Sequence, residues 1–304
     1  MKWIVGVSTM AVVMGLAAIA TIPAATISID EAALKFLPPE TEGVAFIDVD
    51  ALLKAPLIQE ALKARPVDYP RELREFMTAT GIDPQRDVDK VTVGKISDRD
   101  VLVIVQGRID KFKVEQFLMD KAAETEVYLG QTLYRDKDGA AAIFDNLAIL
   151  GQAGPVKRSI DQMQIPGSQP LRSDLIAAMQ TIEAGNQVWA VGDFAVKDLG
   201  QAGIRGPVPV LDMLKSLKGG TYQMRIDSDI HARGTANFTD AKNAQDLSDM
   251  ARGLLAVAKL QVAQKEPDLL RALDGVQVSS SGTTLTVRVE ERGDLLSRQL
   301  RQLH

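Results

Sequence analysis

"KISDRDVLVIVQGRIDKF" (95–112) decides how the chain is read, because a similar run, "RIDSDIHARGTANF" (225–238), comes again in the second half. In each, an apolar strand meets an Asp/Ser turn, and a second apolar strand carries a glycine (Gly107, Gly234) with a phenylalanine beyond it (Phe112, Phe238). Short polar side chains at such turns satisfy nearby backbone amides, so each run predicts an antiparallel hairpin. Strands are expected at about 90–96, 100–107, 220–227 and 230–237.

Working outward, the two halves follow a similar order. "GVAFIDVD" (43–50) is a strand, with Asp50 placed to cap the helix "ALLKAPLIQEALK", which Pro56 starts or kinks. Pro70 and Gly81 bound a second helix. A helix over 110–124, strands at 127–135 and 140–145, a short strand "LAILGQ" and the helix "GPVKRSIDQM" complete the first half. "IPGSQPL" (165–171) is the clearest break in composition. A helix, the strand "QVWAVGDF", short helical pieces near 194–200 and 208–217, a hairpin, a long helix over 240–264 and the hairpin "GVQVSSSGTTLTVRVEE" make the second half, and a charged helix ends the chain. In the long helix Ala244, Leu247, Met250, Ala251, Leu254, Ala258 and Val262 keep three- and four-residue spacing and are expected on the buried face. The expected fold is α+β: two similar halves, each an antiparallel sheet covered by helices on one face, after an apolar leader. The expected division is 1–25 leader, 26–165 first half and 166–304 second half.

The leader, "MKWIVGVSTMAVVMGLAAIATIPAATISID", has Lys2 and then no charge until Asp30. A positive start, an apolar run and small residues are the pattern of a secretory signal. The run from Trp3 to Ile22 also approaches the length that spans a bilayer, so membrane attachment through residues 3–22 stands beside cleavage. Both place the body outside the cytosol. The chain has no cysteine, which excludes a lipid-modified cysteine anchor, disulfides, thiolate nucleophiles and cysteine metal sites. A formal net charge of −5 disfavours a nucleic-acid partner.

Few residues suggest chemistry. Asp227, Asp229 and His231 are a metal or acid–base candidate; they share a face only in an uninterrupted strand, and a turn at Ser228 is expected to break that phase. Asp48 and Asp50 share strand parity and pose as a carboxylate pair, with Asp50 as cap the preferred reading. "IDPQRDVDK" (82–90) has three aspartates without the glycine and glutamate of a calcium-binding loop, and predicts a helix-end loop. "GQAGIRGP" (200–207) lacks the Lys-Ser/Thr of a phosphate-binding loop. His304 ends the chain, no convincing Ser-x-x-Lys is present, and Asn237-Phe238-Thr239 is a glycosylation sequon by letter only. No catalytic, cofactor-binding or metal residue is assigned.

"FLPPETEGVAFIDVDALLKAPLIQEAL" with "DVDKVTVGKI" and "DVLVIVQGRID" resembles the opening of a group of uncharacterised exported bacterial proteins. Those have a leader, a Leu-Pro-x-x-Thr segment, a strand ending in Asp, and a helix. Leu37, Pro38, Thr41, Asp48, Leu52, Pro56, Leu57 and Gly107 carry the likeness. The resemblance implies export and architecture and transfers no activity. The expected function is therefore a non-catalytic exported protein that acts through binding or structural interaction with an unknown partner. Two alternatives stand beside it. A carboxylate or Ser/Lys hydrolase needs a pocket gathering two or more of Asp48, Asp50, Asp227 and His231. A carrier of lipid or another hydrophobic ligand needs an apolar cavity beneath helix 240–264.

Overall fold

The computed structural model describes residues 31–121, 123–137, 139–164, 171–193, 213–263 and 266–294. The leader, most of the 165–171 break, the expected pieces from 194 to 212, the glycine-rich 200–207 and the last ten residues lie outside them. In chain order the elements are α1 (Glu31–Leu34), β1 (Gly43–Asp48), α2 (Val49–Lys54), α3 (Pro56–Ala64), α4 (Arg71–Thr80), α5 (Pro84–Asp87), β2 (Val88–Lys95) and β3 (Val101–Gly107). Next come α6 (Lys111–Asp120), β4 (Glu124–Tyr128), β5 (Gln131–Arg135), β6 (Ala140–Phe144), β7 (Leu147–Gly151), α7 (Ala153–Gln164) and α8 (Ser173–Gln180). The remainder are β8 (Val188–Asp193), β9 (Leu217–Ile226), β10 (Ile230–Phe238), α9 (Ala241–Val262), α10 (Pro267–Asp274), β11 (Val276–Ser281) and β12 (Thr284–Glu291). The class is α+β with antiparallel strand pairing. Two compact units divide the chain. Among the described residues, one holds Glu31–Lys54 and those of Arg65–Ile176, and the other holds Ala55–Ala64 and those from Ala177 to Asp294.

In the first unit the strand order is β1-β2-β3-β7-β6-β5-β4. The run Leu102-Val103-Ile104 is at most 1% exposed, as expected of a strand covered on both faces. The Leu-Pro-x-x-Thr segment packs tightly: Leu37 is 2% and Thr41 0% exposed, and the Thr41 hydroxyl donates to the Pro38 carbonyl at 2.6 Å. Helix α4 ends as its sequence implies, with Gly81 left-handed (φ 74°) and its amide donating to Met77 O. An edge-to-face contact of Phe76 with Phe117, centroids 5.4 Å apart, holds α4 on α6.

Two boundaries differ from expectation. The single strand expected over 127–135 is the β4–β5 hairpin, turning at Leu129 (φ 48°) and Gly130 (φ 80°). Both residues of such a tight turn take positive φ, which a leucine rarely signals. The helix expected over 110–124 ends at Asp120, leaving Glu124 to begin β4.

In the second unit the order is β8-β9-β10-β12-β11. Trp189 and Met224 are buried, and Gln223, 1% exposed, accepts from the Glu183 amide at 2.9 Å and the Asn186 side chain at 3.2 Å. The buried carbonyl of Gln223 is thereby satisfied. Phe238, Ala244 and Leu247 form a core under the first half of α9, with Met213, Leu214, Leu217, Ala236, Met250 and Leu285 packed against it.

The halves share a topology. Each has a three-strand meander (β1-β2-β3; β8-β9-β10), a helix, and a second meander whose last strand returns beside the third. That second meander has four strands in the first unit (β4–β7) and two in the second (β11–β12). The Phe112/Phe238 match does not hold: Phe238 ends β10 and is 3% exposed, whereas Phe112 lies on α6 and is 72% exposed.

Leu254 is also a correction. It was expected on the inner face of α9 and is 65% exposed. The face turned inward runs through Ala244, Ser248, Ala251, Leu255, Ala258 and Val262. Leu255, between Ala251 and Ala258 on that path, takes the inner place, and Leu254 sits about 100° round the helix from it.

Candidate functional site

The best-formed cluster of polar side chains lies at the β9–β10 turn. Register sets His231 opposite Arg225 on β9 and opposite Glu290 on β12. His231 Nδ1 lies 2.8 Å from Glu290 Oε2, and Nε2 lies 3.9 Å from Asp227 Oδ1. Asp227 Oδ1 accepts the Asp229 amide at 3.0 Å, and Arg225 Nε lies 3.0 Å from Asp227 Oδ2. Asp229 Oδ1 accepts the Gly293 amide at 3.0 Å, while the Asp227 carbonyl accepts from Leu57 N on α3 at 3.2 Å.

The expectation that the Ser228 turn would separate these three residues is corrected. The turn is present, yet one ligand-type atom from each of Asp227, Asp229 and His231 falls within 4.8 Å of the others. The tight bend folds both aspartates back toward the start of β10, so strand parity does not govern them.

Two carboxylates and an imidazole are ligand types that divalent transition metals accept. Their oxygens, however, already have structural partners. Asp227 Oδ1 and Asp229 Oδ1 hold backbone amides, and the guanidinium of Arg225 puts a positive charge beside the cluster. Burial raises the Asp227 carboxyl, but the Asp229 amide, Arg225 and His231 outweigh it and hold the group below the ordinary carboxylate range. Such a carboxylate is a weak general base at neutral pH. The arrangement is a latch that ties the β9–β10 turn to α3, to β12 and to the residues after β12. Asp229→Ala is expected to destabilise the protein by about 1–2 kcal/mol in urea titrations, through loss of a charge-assisted hydrogen bond to Gly293.

The other candidates separate into local tasks. Asp48, not Asp50, is the cap: its Oδ1 accepts the Ala51 amide at 2.8 Å. Asp50 lies on the first turn of α2 and pairs with Lys54 at 2.6 Å in solvent. In 82–90, Asp83 caps α5 by accepting from Gln85 N at 2.9 Å, as a helix-end loop requires. Asn237 is exposed, and its Oδ1 accepts from Thr284 Oγ1 at 3.0 Å.

Asp87, read only as part of that loop, is the most heavily engaged carboxylate described. It is 7% exposed and takes hydrogen bonds from Arg86 Nε (3.0 Å) and Nη2 (2.6 Å), the Asp83 amide (2.8 Å) and Arg108 Nε (3.3 Å). The Arg86 guanidinium, with the Asp83 amide and Arg108, holds its carboxyl well below the ordinary range against the opposing effect of burial.

A different surface was missed in the sequence. From Gly253 to Ala263 the exposed positions of α9 and its C-cap are Gly253, Leu254, Ala256, Val257, Leu260, Gln261 and Ala263, none of them charged. Leu254, Val257 and Leu260 are 65%, 51% and 78% exposed, and the one charge in the stretch, Lys259, turns to Asp274 on α10 at 2.9 Å. The first half of the helix instead shows Lys242, Gln245, Asp249 and Arg252 to solvent. A single charge, Lys259, over the eleven residues 253–263 was the legible signal. Among the described residues, no helix is long and apolar enough to cross a membrane.

No family profile and no curated protein matches the chain. Solved structures of TP0453 are similar in fold. Crystal form III aligns with a TM-score of 0.55 and 9% identity, covering 89% of this chain and 97% of that one. Crystal form I aligns with a TM-score of 0.53 and 9% identity, covering 91% and 98%. The likeness spans nearly the whole of both chains and shows the α+β fold.

Proposed function

We propose that this is an exported, non-catalytic protein that works by docking through the outer face of α9. One observation carries the reading: half of a 22-residue helix presents apolar side chains to solvent with no charge among them. A helix apolar on all sides is stable when something covers it. The engagement of Asp48, Asp50, Asp227 and His231 in capping, ion pairing and turn-holding supports a binding role over acid–base chemistry. Export is supported by the leader, in which Lys2 precedes a mostly apolar run with no charge until Asp30, and export would put the body in the periplasm or on the outer side of the membrane.

Intact mass and fractionation of the native protein test the placement. Loss of about 20–25 residues with a soluble extracytoplasmic body is expected of a cleaved signal, and a full-length chain in the membrane fraction is expected of an anchor at 3–22. Full-length chain free in the cytosol overturns export. For the docking face, Leu260→Glu is expected to leave the thermal midpoint within about 1 °C, since surface changes rarely exceed about 0.5 kcal/mol, while abolishing partner association.

A further inference from the structure

We propose that the β9–β10 turn is a site for one divalent transition-metal ion of the zinc class, held by His231 Nε2, Asp227 and Asp229 and backed by Glu290. The proposal is independent of the docking reading, and all four residues belong to the second unit. It stands on the placing of the imidazole between two carboxylates. Glu290 as a carboxylate only accepts, so its 2.8 Å contact assigns the proton to His231 Nδ1. The lone pair of Nε2 then faces Asp227 Oδ1 at 3.9 Å. Two acceptors thus confront each other across a gap that no hydrogen bond closes. Zinc bonds of about 2.0–2.2 Å to nitrogen and oxygen set two ligand atoms about 3.4 Å apart at the tetrahedral angle and about 4.1 Å apart in line. The observed 3.9 Å lies between these limits. Asp229 adds a third ligand-type atom, the three lying within 4.8 Å of one another, and water completes a fourfold set.

The hydrogen bonds of the turn support such a site rather than fill it. A carboxylate offers about four lone-pair positions. At Asp227, Oδ1 takes the Asp229 amide and Oδ2 faces Arg225 Nε; at Asp229, Oδ1 takes the Gly293 amide. Bonds of this kind orient ligating carboxylates, and a carboxylate on the far nitrogen is the usual support of a ligating histidine. Charge agrees. Asp227, Asp229 and Glu290 against Arg225 leave two negative charges, which a dication balances. The imidazole nitrogen favours zinc-class ions over calcium or magnesium, which take oxygen ligands. Bound there, the ion tightens the latch between the turn and β12.

Calorimetric titration of the untagged full-length chain with zinc chloride, after stripping with a chelator, tests the proposal. One zinc per chain is expected, with a thermal midpoint that rises as zinc is added. His231→Gln removes the nitrogen ligand and is expected to abolish binding. Glu290→Gln, which touches the imidazole and not the ion, is expected to weaken it about tenfold or more. His304→Gln removes the only other histidine and is expected to leave the titration unchanged. Asp229→Asn keeps an acceptor for the Gly293 amide, so it is expected to stay folded by circular dichroism while losing the zinc-dependent rise in midpoint. No heat and no shift in midpoint for the wild type overturns the site. Binding that His231→Gln leaves unchanged is adventitious and overturns it too, as does calcium or magnesium binding as tightly as zinc.

Discussion

Gly107→Ala is expected to cost about 3 kcal/mol, the upper range for forcing atoms into a packed interior. A Cβ at Gly107 stands 2.0 Å from the Asp87 carbonyl oxygen and 2.9 Å from Val88 Cα, so backbone rather than a flexible side chain has to move. The same backbone is tied on both sides: Gly107 N donates to Asn146 O at 3.0 Å and Arg108 N to Asp87 O at 2.7 Å. Relieving the clash breaks at least one of these bonds. Gly234, its counterpart in the sequence comparison, meets nothing within 4 Å. Gly234→Ala is therefore expected to be neutral or to stabilise by about 0.5 kcal/mol, because it restricts the unfolded chain. Urea titrations of the two variants followed by circular dichroism check the contrast; equal effects contradict it.

Asp87→Asn is the second large effect, about 2 kcal/mol at neutral pH. The side chain is almost fully buried and loses charge-assisted bonds from Arg86 and Arg108. Both guanidiniums are largely solvent-exposed, 64% and 62%, so water screens the pair and the figure lies low in the range for charged hydrogen bonds. The pH dependence follows from the sign of the shift. The folded carboxyl is held below its unfolded value, so its stabilisation is complete above the unfolded pKa of about 4 and is lost as pH falls toward the folded one. The gap between wild type and Asp87→Asn is expected to narrow steadily below about pH 4. A gap that is constant or widens in acid contradicts the assignment.

Local chemistry made much of the fold legible. The hairpins at 95–103 and 225–233, the Gly81 cap and the order of strands and helices follow from residues close in sequence. The repeated part of the topology follows too, because each half carries a three-strand meander followed by helix and a second meander, although that second meander has four strands in one half and two in the other. What was not legible depends on distant partners. The gathering of Asp227, Asp229 and His231 is completed by Glu290 and Gly293, and no spacing within 225–234 announces either. The attachment of Pro56–Ala64 to the second unit rests on Leu57 reaching the Asp227 carbonyl. At Leu254 the three- and four-residue spacing fits Leu254 and Leu255 alike, and reading Leu254 as the inner one hid the apolar outer face that now supports the functional reading.

That reading turns on whether the outer face of α9 is covered where the protein acts. Thiol labelling by a membrane-impermeant maleimide measures this most directly, comparing Leu254→Cys with the exposed Gln277→Cys in intact cells and after dilution of the purified chain. In cells, rapid labelling at 277 with at least tenfold slower labelling at 254 is predicted, and dilution is predicted to bring the two rates together. Equal rates at both positions in the cell contradict a docked face, and silence at both until lysis contradicts export.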